Sequence, residues 1–213
     1  MKNWLIYSYT FAFLIFASLG SCKKKVQFGK GNLNFSQDTI VFDTVFTTVG
    51  STTKQFKIYN RETNSLNIEE IQLIGGENSP FRINIDGTPG ISFQNISILS
   101  QDSLFAFIDV NLKVNNQTNP MVIEDQIRFK TNGVNQYVNL VVWGQDIYYH
   151  YSDIENGTIL DLNEGIWPND KPHLIYGAAF VDENKTLEIQ AGTKVYMHKN
   201  ARLFVYKGTL NIN

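Results

Sequence analysis

The chain has 213 residues, room for one large or two small domains. Its 18 Lys and Arg against 20 Asp and Glu leave a formal charge of -2, which excludes a broad basic surface for nucleic acid. Hydrophobic residues at 43% and aromatics at 13% exclude a disordered chain, and the single Cys excludes an intramolecular disulfide and a Cys-based zinc site.

Lys2, an apolar run from Trp4 to Leu19, and the small residues Gly20 and Ser21 follow the order of a secretory signal peptide over residues 1–21. About 16 apolar residues are too few to cross about 30 Å of hydrocarbon comfortably as a permanent helix, so the run reads as a removable leader. Leu19-Gly20-Ser21-Cys22 resembles the lipobox of bacterial lipoproteins. The resemblance implies that diacylglycerol is attached to the Cys22 sulfur and that cleavage makes Cys22 the first mature residue. The only thiol then sits where an acyl anchor is needed, whereas a free thiol in an oxidising compartment is a liability. An anchor of two or three acyl chains, at roughly 0.8 kcal/mol per buried CH2, holds a protein lastingly. A secreted protein with a chance cysteine is the alternative.

Residues 22–30, with Lys23, Lys24, Lys25 and Gly29, read as a polar tether whose lysines either meet anionic headgroups or form a solvated spacer. Surface lipoproteins of Bacteroidetes often carry acidic residues just after the cysteine, and this basic tether departs from that pattern. The expected location is therefore the cell envelope, as an outer membrane lipoprotein on the periplasmic face.

Residues 31–146 show alternating runs rather than a helical period. They predict about eight strands: 39–46, 55–60, 66–73, 81–85, 91–99, 104–114, 122–131 and 136–143. In the sixth, Leu104, Ala106, Ile108, Val110, Leu112 and Val114 share one face, with Asp109, Asn111 and Lys113 on the other. Turn residues separate the strands at Gly50-Ser51, Thr63-Asn64, Gly75-Gly76, Asp86-Gly87 with Pro89-Gly90, and Asn115 to Pro120. Asn132-Gly133 is the hairpin dipeptide that tolerates positive φ, with Val134-Asn135 available to lengthen the loop. Short strands with regular turns predict a two-sheet sandwich. Phe42-Asp43-Thr44-Val45-Phe46, Lys57-Ile58-Tyr59-Asn60, Leu66-Asn67-Ile68 and Pro80-Phe81-Arg82-Ile83 resemble the ASH/MSP-type immunoglobulin-like modules. That resemblance implies a spacer or protein-interaction domain without catalysis.

Residues 147–156 read as a linker. Its Tyr148, Tyr149, His150 and Tyr151 either pack one domain on the next or offer a platform for sugars. Over residues 157–213 the pattern changes to short apolar pairs: Leu187 and Ile189, Val195 and Met197, Leu203 and Val205, Leu210 and Ile212. The spacing returns Leu210 and Ile212 to the position of Leu187 and Ile189 one coil earlier. Gly192 and Gly208 stand at corners, and Asn200 tolerates a tight turn. Thr186-Leu187-Glu188-Ile189-Gln190-Ala191-Gly192-Thr193 and Gly208-Thr209-Leu210 resemble the first coil of right-handed β-helix repeat proteins. The fold class expected is all-β, an immunoglobulin-like β-sandwich followed by a truncated parallel β-helix. About one and a half coils are too few to share a continuous core, so the chain is expected to be the N-terminal part of a longer protein or a prematurely ended frame.

No phosphate loop, Gly-x-Ser-x-Gly elbow or His-Glu-x-x-His helix is present. His150, His173 and His198 show no metal spacing, and the adjacent acids Glu69-Glu70 and Asp182-Glu183 point to opposite faces of a strand, wrong for a shared acid/base site. No catalytic residue, metal or cofactor is expected. Tyr196, His198, Phe204 and Tyr206 fall outward on the coil, where Tyr196, Phe204 and Tyr206 either stack on sugar rings or lie under the sandwich. Asp38-Thr39-Ile40, Asp43-Thr44-Val45 and Asp102-Ser103-Leu104 resemble the O-glycosylation site of Bacteroidetes. The function expected is a lipid-anchored envelope module for binding or scaffolding, with the membrane, through Cys22, and envelope proteins or polysaccharide as partners. The alternatives are the N-terminal part of a β-helix polysaccharide lyase or glycosidase with catalytic coils beyond residue 213, and a purely structural envelope protein.

Overall fold

The structure, a computed structural model, describes residues 27–114, 120–151, 160–161 and 165–213. The segment 1–21 expected as a signal peptide, with Leu19, Gly20 and Ser21, and the expected lipidation residue Cys22 lie outside the described residues. Among the described residues the first part has ten strands, the longer ones built on alternation of apolar and polar side chains. They are β1 (Asn34–Phe35), β2 (Thr39–Phe46), β3 (Lys54–Tyr59), β4 (Leu66–Leu73), β5 (Phe81–Ile85), β6 (Thr88–Gly90), β7 (Ser92–Ile98), β8 (Ser103–Val110), β9 (Met121–Thr131) and β10 (Val134–Gln145). They form two five-stranded sheets in the orders β1-β3-β8-β5-β6 and β2-β10-β9-β4-β7. The pairs are antiparallel except that β2 runs parallel to β10. Apart from the β5–β6 and β9–β10 hairpins, successive strands cross between the sheets, and inward residues such as Ile58 and Ile108 from one and Ile71 and Phe129 from the other share a single core. Two packed, mainly antiparallel sheets with crossing connections are an immunoglobulin-like β-sandwich.

The turns explain where strands stop. Asn132 and Gly133 both have positive φ, 53° and 77°, and Thr131 pairs with Val134, so the loop is the two-residue kind and Val134-Asn135 belongs to β10 rather than lengthening it. Asp86 and Gly87 make a second tight turn, with φ of 49° and 87° and Ile85 opposite Thr88. Pro89-Gly90, expected as a breaker, therefore lies in β6, an edge strand where a missing N–H costs nothing in the ladder. The sixth predicted strand ends at Val110, not Val114. Beyond it, the Asn111 N–H turns to the Pro80 carbonyl, the Leu112 carbonyl accepts from Thr48, and Val114 is exposed. In β4 the ladder to β9 shifts between Ile68 and Glu70. This bulge leaves Ile68 and Ile71 both buried and Glu69 and Glu70 both partly exposed, instead of the strict alternation expected for the two acids.

Among the described residues the second part has nine short strands: β11 (Tyr148–Tyr151), β12 (Leu160–Asp161), β13 (Ile166–Trp167), β14 (His173–Tyr176), β15 (Ala178–Val181), β16 (Thr186–Ile189), β17 (Val195–Met197), β18 (Arg202–Val205) and β19 (Thr209–Ile212). The chain visits three parallel sheets in turn, β11-β14-β17, β12-β15-β18 and β13-β16-β19. Leu187 pairs with Leu210 and Ile189 with Ile212, the register that the apolar pairs predict. Part of the segment expected as a linker, Tyr148–Tyr151, is thus the first strand of this second unit. Trp167, Ile175, Ala179, Val181, Leu187 and Ile189 form its core, separate from that of the sandwich. Its glycines act differently: Gly192 takes φ of 83°, whereas a Cβ on Gly208 would lie 2.6 Å from the Asp182 carbonyl oxygen. Along β17 to β19 burial falls off: Val195, Leu203 and Leu210 are half-buried against the core, and Ile212 is 71% exposed against 8% for its partner Ile189.

Candidate functional site

Ionisable and aromatic side chains meet where the sandwich hands over to the second unit. Asp146, just after β10, has a buried carboxylate 3.7 Å from the Lys171 ammonium. The Lys171 ammonium also stands 5.8 Å from the centre of the Tyr148 ring, and the Tyr148 hydroxyl donates to Asp170 at 3.2 Å. Next along β11, His150 lies buried with its Nε2 2.9 Å from Nδ1 of His173 on β14. The other nitrogen of His173, Nε2, is 3.0 Å from the Pro168 carbonyl oxygen. The two imidazoles are coplanar within 4°, and the Trp167 indole stacks on both at 4.4 and 4.5 Å. Burial first, and the neighbouring His173 second, lower the His150 pKa to about 4, so the ring is neutral near pH 7. With both nitrogens of His173 engaged inside the fold, the pair is built for cohesion rather than for proton transfer to a substrate.

The four aromatics of the segment 148–151 were legible as a cluster, and those described pack on the second unit: Tyr148 against His173 at 4.8 Å, Tyr149 against Tyr176 at 6.2 Å, His150 on Trp167. Sequence reasoning missed the contact between His150 and His173, and Trp167 with it. His150 lies 23 residues from His173 on a different strand, and the one signal the three share is that each falls next to a Tyr or Pro.

Tyr196 is on β17 and Phe204 on β18, strands of different sheets, and Tyr206 follows β18. Each is partly occupied by the chain itself. Tyr196 packs on Phe46 of the sandwich at 5.2 Å, Phe204 stacks on Phe180 at 5.0 Å, and the Lys207 ammonium lies 5.3 Å from the centre of the Tyr206 ring. His198 likewise stacks on Tyr176 at 3.9 Å. Glu69 and Glu70 are held by Lys130 at 3.4 Å and Arg128 at 2.6 Å.

A cleft of about 530 Å³ opens at the end of the sandwich from which β10 leaves. Buried Phe81 and Leu112 line it together with exposed Glu77, Arg82 and Lys113, so its charges nearly balance and its walls are half apolar. Gly144 belongs to this wall because a Cβ there would come within 2.8 Å of Leu112 Cδ1. Among the described residues no group of three or more His, Cys, Asp or Glu is placed to hold a metal ion.

No family model and no curated protein matches the chain. Among solved structures, a Porphyromonas gingivalis W83 protein of unknown function aligns with a TM-score of 0.41 and 8% identity, over 71% of this chain and 58% of that one. The ASH/PapD-like domain 7 of human CEP192 aligns at 0.35 and 10%, over 59% and 95%. The Escherichia coli chaperone DraB aligns at 0.34 and 10%, over 52% and 54%, so this chain spans about half its length. At such scores no role passes from those proteins to this one. The strand order and registers themselves define the class: an all-β chain with an immunoglobulin-like sandwich and a second unit of three short parallel sheets.

Proposed function

We propose that this chain is a lipid-anchored protein of the bacterial cell envelope, held by diacylglycerol on Cys22, in which the sandwich carries the opening coils of a parallel β-helix as a binding or scaffolding module. The register of the second unit carries this reading. His173 meets Val195, Ala178 meets Arg202 and Thr186 meets Thr209, so each strand returns beside its predecessor after a nearly constant stretch of chain. Support for the anchor is in the sequence: a leader ending in Leu19-Gly20-Ser21 before the only thiol, and a basic tether behind it. A binding role fits the titratable groups, since the buried histidines hold each other and Glu69, Glu70 and Asp146 carry cationic partners. Envelope proteins or polysaccharide are the partners in this reading, and the periplasmic face of the outer membrane is its place.

Mass spectrometry of the mature N-terminus isolated from membranes tests the anchor. The expected species starts at diacylglyceryl-Cys22, and a Cys22→Ser variant is expected to leave the membrane fraction. Retention of that variant after leader cleavage refutes the anchor. Glycan-array binding and uronic-acid turnover, run side by side, test the role: binding without turnover is expected, and turnover moves the chain to the lyase or glycosidase reading.

A further inference from the structure

Each sheet of the sandwich buries one face in the core and turns the other outward, on opposite sides of the sandwich. On the β2-β10-β9 side, Val122 pairs with Trp143, and Glu124 with Val141, which also pairs with Val41. Alternation turns these five outward, with Ile40, Phe42 and Val142 between them buried. Val122 is 54% and Trp143 41% exposed, an apolar patch with exposed Glu124 and Asp43 beside it. The cations further along this face are paired, Arg128 with Glu70 and Lys130 with Glu69. The β3–β8 side carries the opposite sign. Lys57 pairs with Phe105 and Gln55 with Phe107, and all four turn outward because Phe56, Ile58, Ala106 and Ile108 are buried. The Lys57 ammonium stands 4.7 Å from the centre of the Phe105 ring, which stacks on Phe107 at 6.1 Å. The Arg61 guanidinium lies 5.4 Å from the centre of the Tyr59 ring on the same side, and Asp109, further along β8, stands opposite Arg82.

We propose that the β3–β8 face of one copy of this chain docks on the β2-β10-β9 face of a second copy, with Phe105 and Phe107 against the Trp143 patch and Lys57 toward Glu124. Charge selects this occupant. An anionic polysaccharide or lipid surface meets Glu124 and Asp43 with the same sign, and the patch laid on its own counterpart sets Glu124 against Glu124. Spacing fits it as well. On each face a charged rung, Lys57–Phe105 or Glu124–Val141, lies one two-residue step, about 7 Å, from an uncharged rung, Gln55–Phe107 or Val122–Trp143. Because the faces lie on opposite sides of the sandwich, every copy offers both, and the contact propagates into an open row instead of closing at a dimer. This homotypic contact goes beyond the binding role proposed above and does not depend on the anchor at Cys22.

Sedimentation velocity of the full chain in mild detergent at low salt, followed from about 5 µM to about 500 µM, tests the row. The average coefficient is expected to keep rising past that of a dimer. Glu124→Lys and Lys57→Glu are each expected to weaken association at least about threefold, and Trp143→Ser at least about tenfold. An equimolar mixture of the two charge-reversed chains is expected to regain the association that each alone has lost, since Lys57 of one then meets Glu124 of the other. A monomer at about 500 µM, equal association in all variants, or a mixture no stronger than its components overturns the proposal. So does a closed dimer that Trp143→Ser abolishes and Lys57→Glu leaves intact. Should Trp143→Ser fold poorly, the mixture decides. The leader and anchor are common to every variant, so association through them alters none of these differences, and failure here leaves the mass and glycan tests of the proposed function as they stand.

Discussion

Asn60 shows how much a single polar side chain carries in this fold. It is buried, and its Nδ2 donates to the carbonyls of Asn64, Ile98 and Leu99 while its Oδ1 accepts from the Glu62 N–H. An Asn at the end of a strand was visible in the sequence, but two of its acceptors lie nearly 40 residues away. Asn60→Ala leaves these groups without their partner and is expected to cost about 3 kcal/mol in urea unfolding, with Asn60→Asp no better because a carboxylate then faces three carbonyls. Thr48 presents the opposite case. It is exposed yet holds φ of 68°, a region a β-branched residue reaches only under strain. Thr48→Asn or Thr48→Gly is expected to raise the stability of the sandwich by about 1 kcal/mol, read as a higher urea midpoint.

Among the elements, long alternating strands were legible and very short ones were not. β5 carries its inward residues at every second position, β2 and β4 do so except for one step of three, from Phe42 to Val45 and from Ile68 to Ile71, and all three match the predicted bounds of 39–46, 66–73 and 81–85. β1, β12 and β13 have two residues each, too few for any alternation to show, and exist because partners elsewhere offer ladder positions. Phe35 illustrates this: β1 is short, but its ring sits 4.9 Å from Phe129 and 6.3 Å from Phe56 in the core. Corners give a sharper test of element-level reasoning. Gly133→Ala meets open space and strains only its φ of 77°, an expected loss of about 1 kcal/mol. Gly208→Ala drives a methyl into the Asp182 carbonyl and the Val181 backbone, and is expected to destabilise the second unit by at least about 3 kcal/mol. Thermal unfolding of the two variants side by side checks the order.

At the scale of the whole molecule, two cores without a shared residue predict two transitions. Ile71→Ala, at a fully buried site of the sandwich, is expected to lower the first by about 3 to 4 kcal/mol and leave the second in place by calorimetry. Acid acts on the other unit. Because the folded state binds a proton at His150 less well than the unfolded chain, stability is full above about pH 6.5, is lost as the pH falls, and stops falling below about pH 4. The loss reaches about 3 kcal/mol, seen as a drop in the second transition alone.

By itself the sequence determined the all-β class, most of the sandwich strands, the Asn132-Gly133 hairpin and the pairing of Leu187 with Leu210, since each is written in a local period or turn dipeptide. Only the tertiary structure decided that β2 runs parallel beside β10, that Pro89 takes an edge, that Tyr196 packs on Phe46, and that Trp167 covers two histidines. The reason is physical: alternation encodes which face of a strand is apolar, whereas the partner of that face is chosen by contacts between segments that carry no mark of each other.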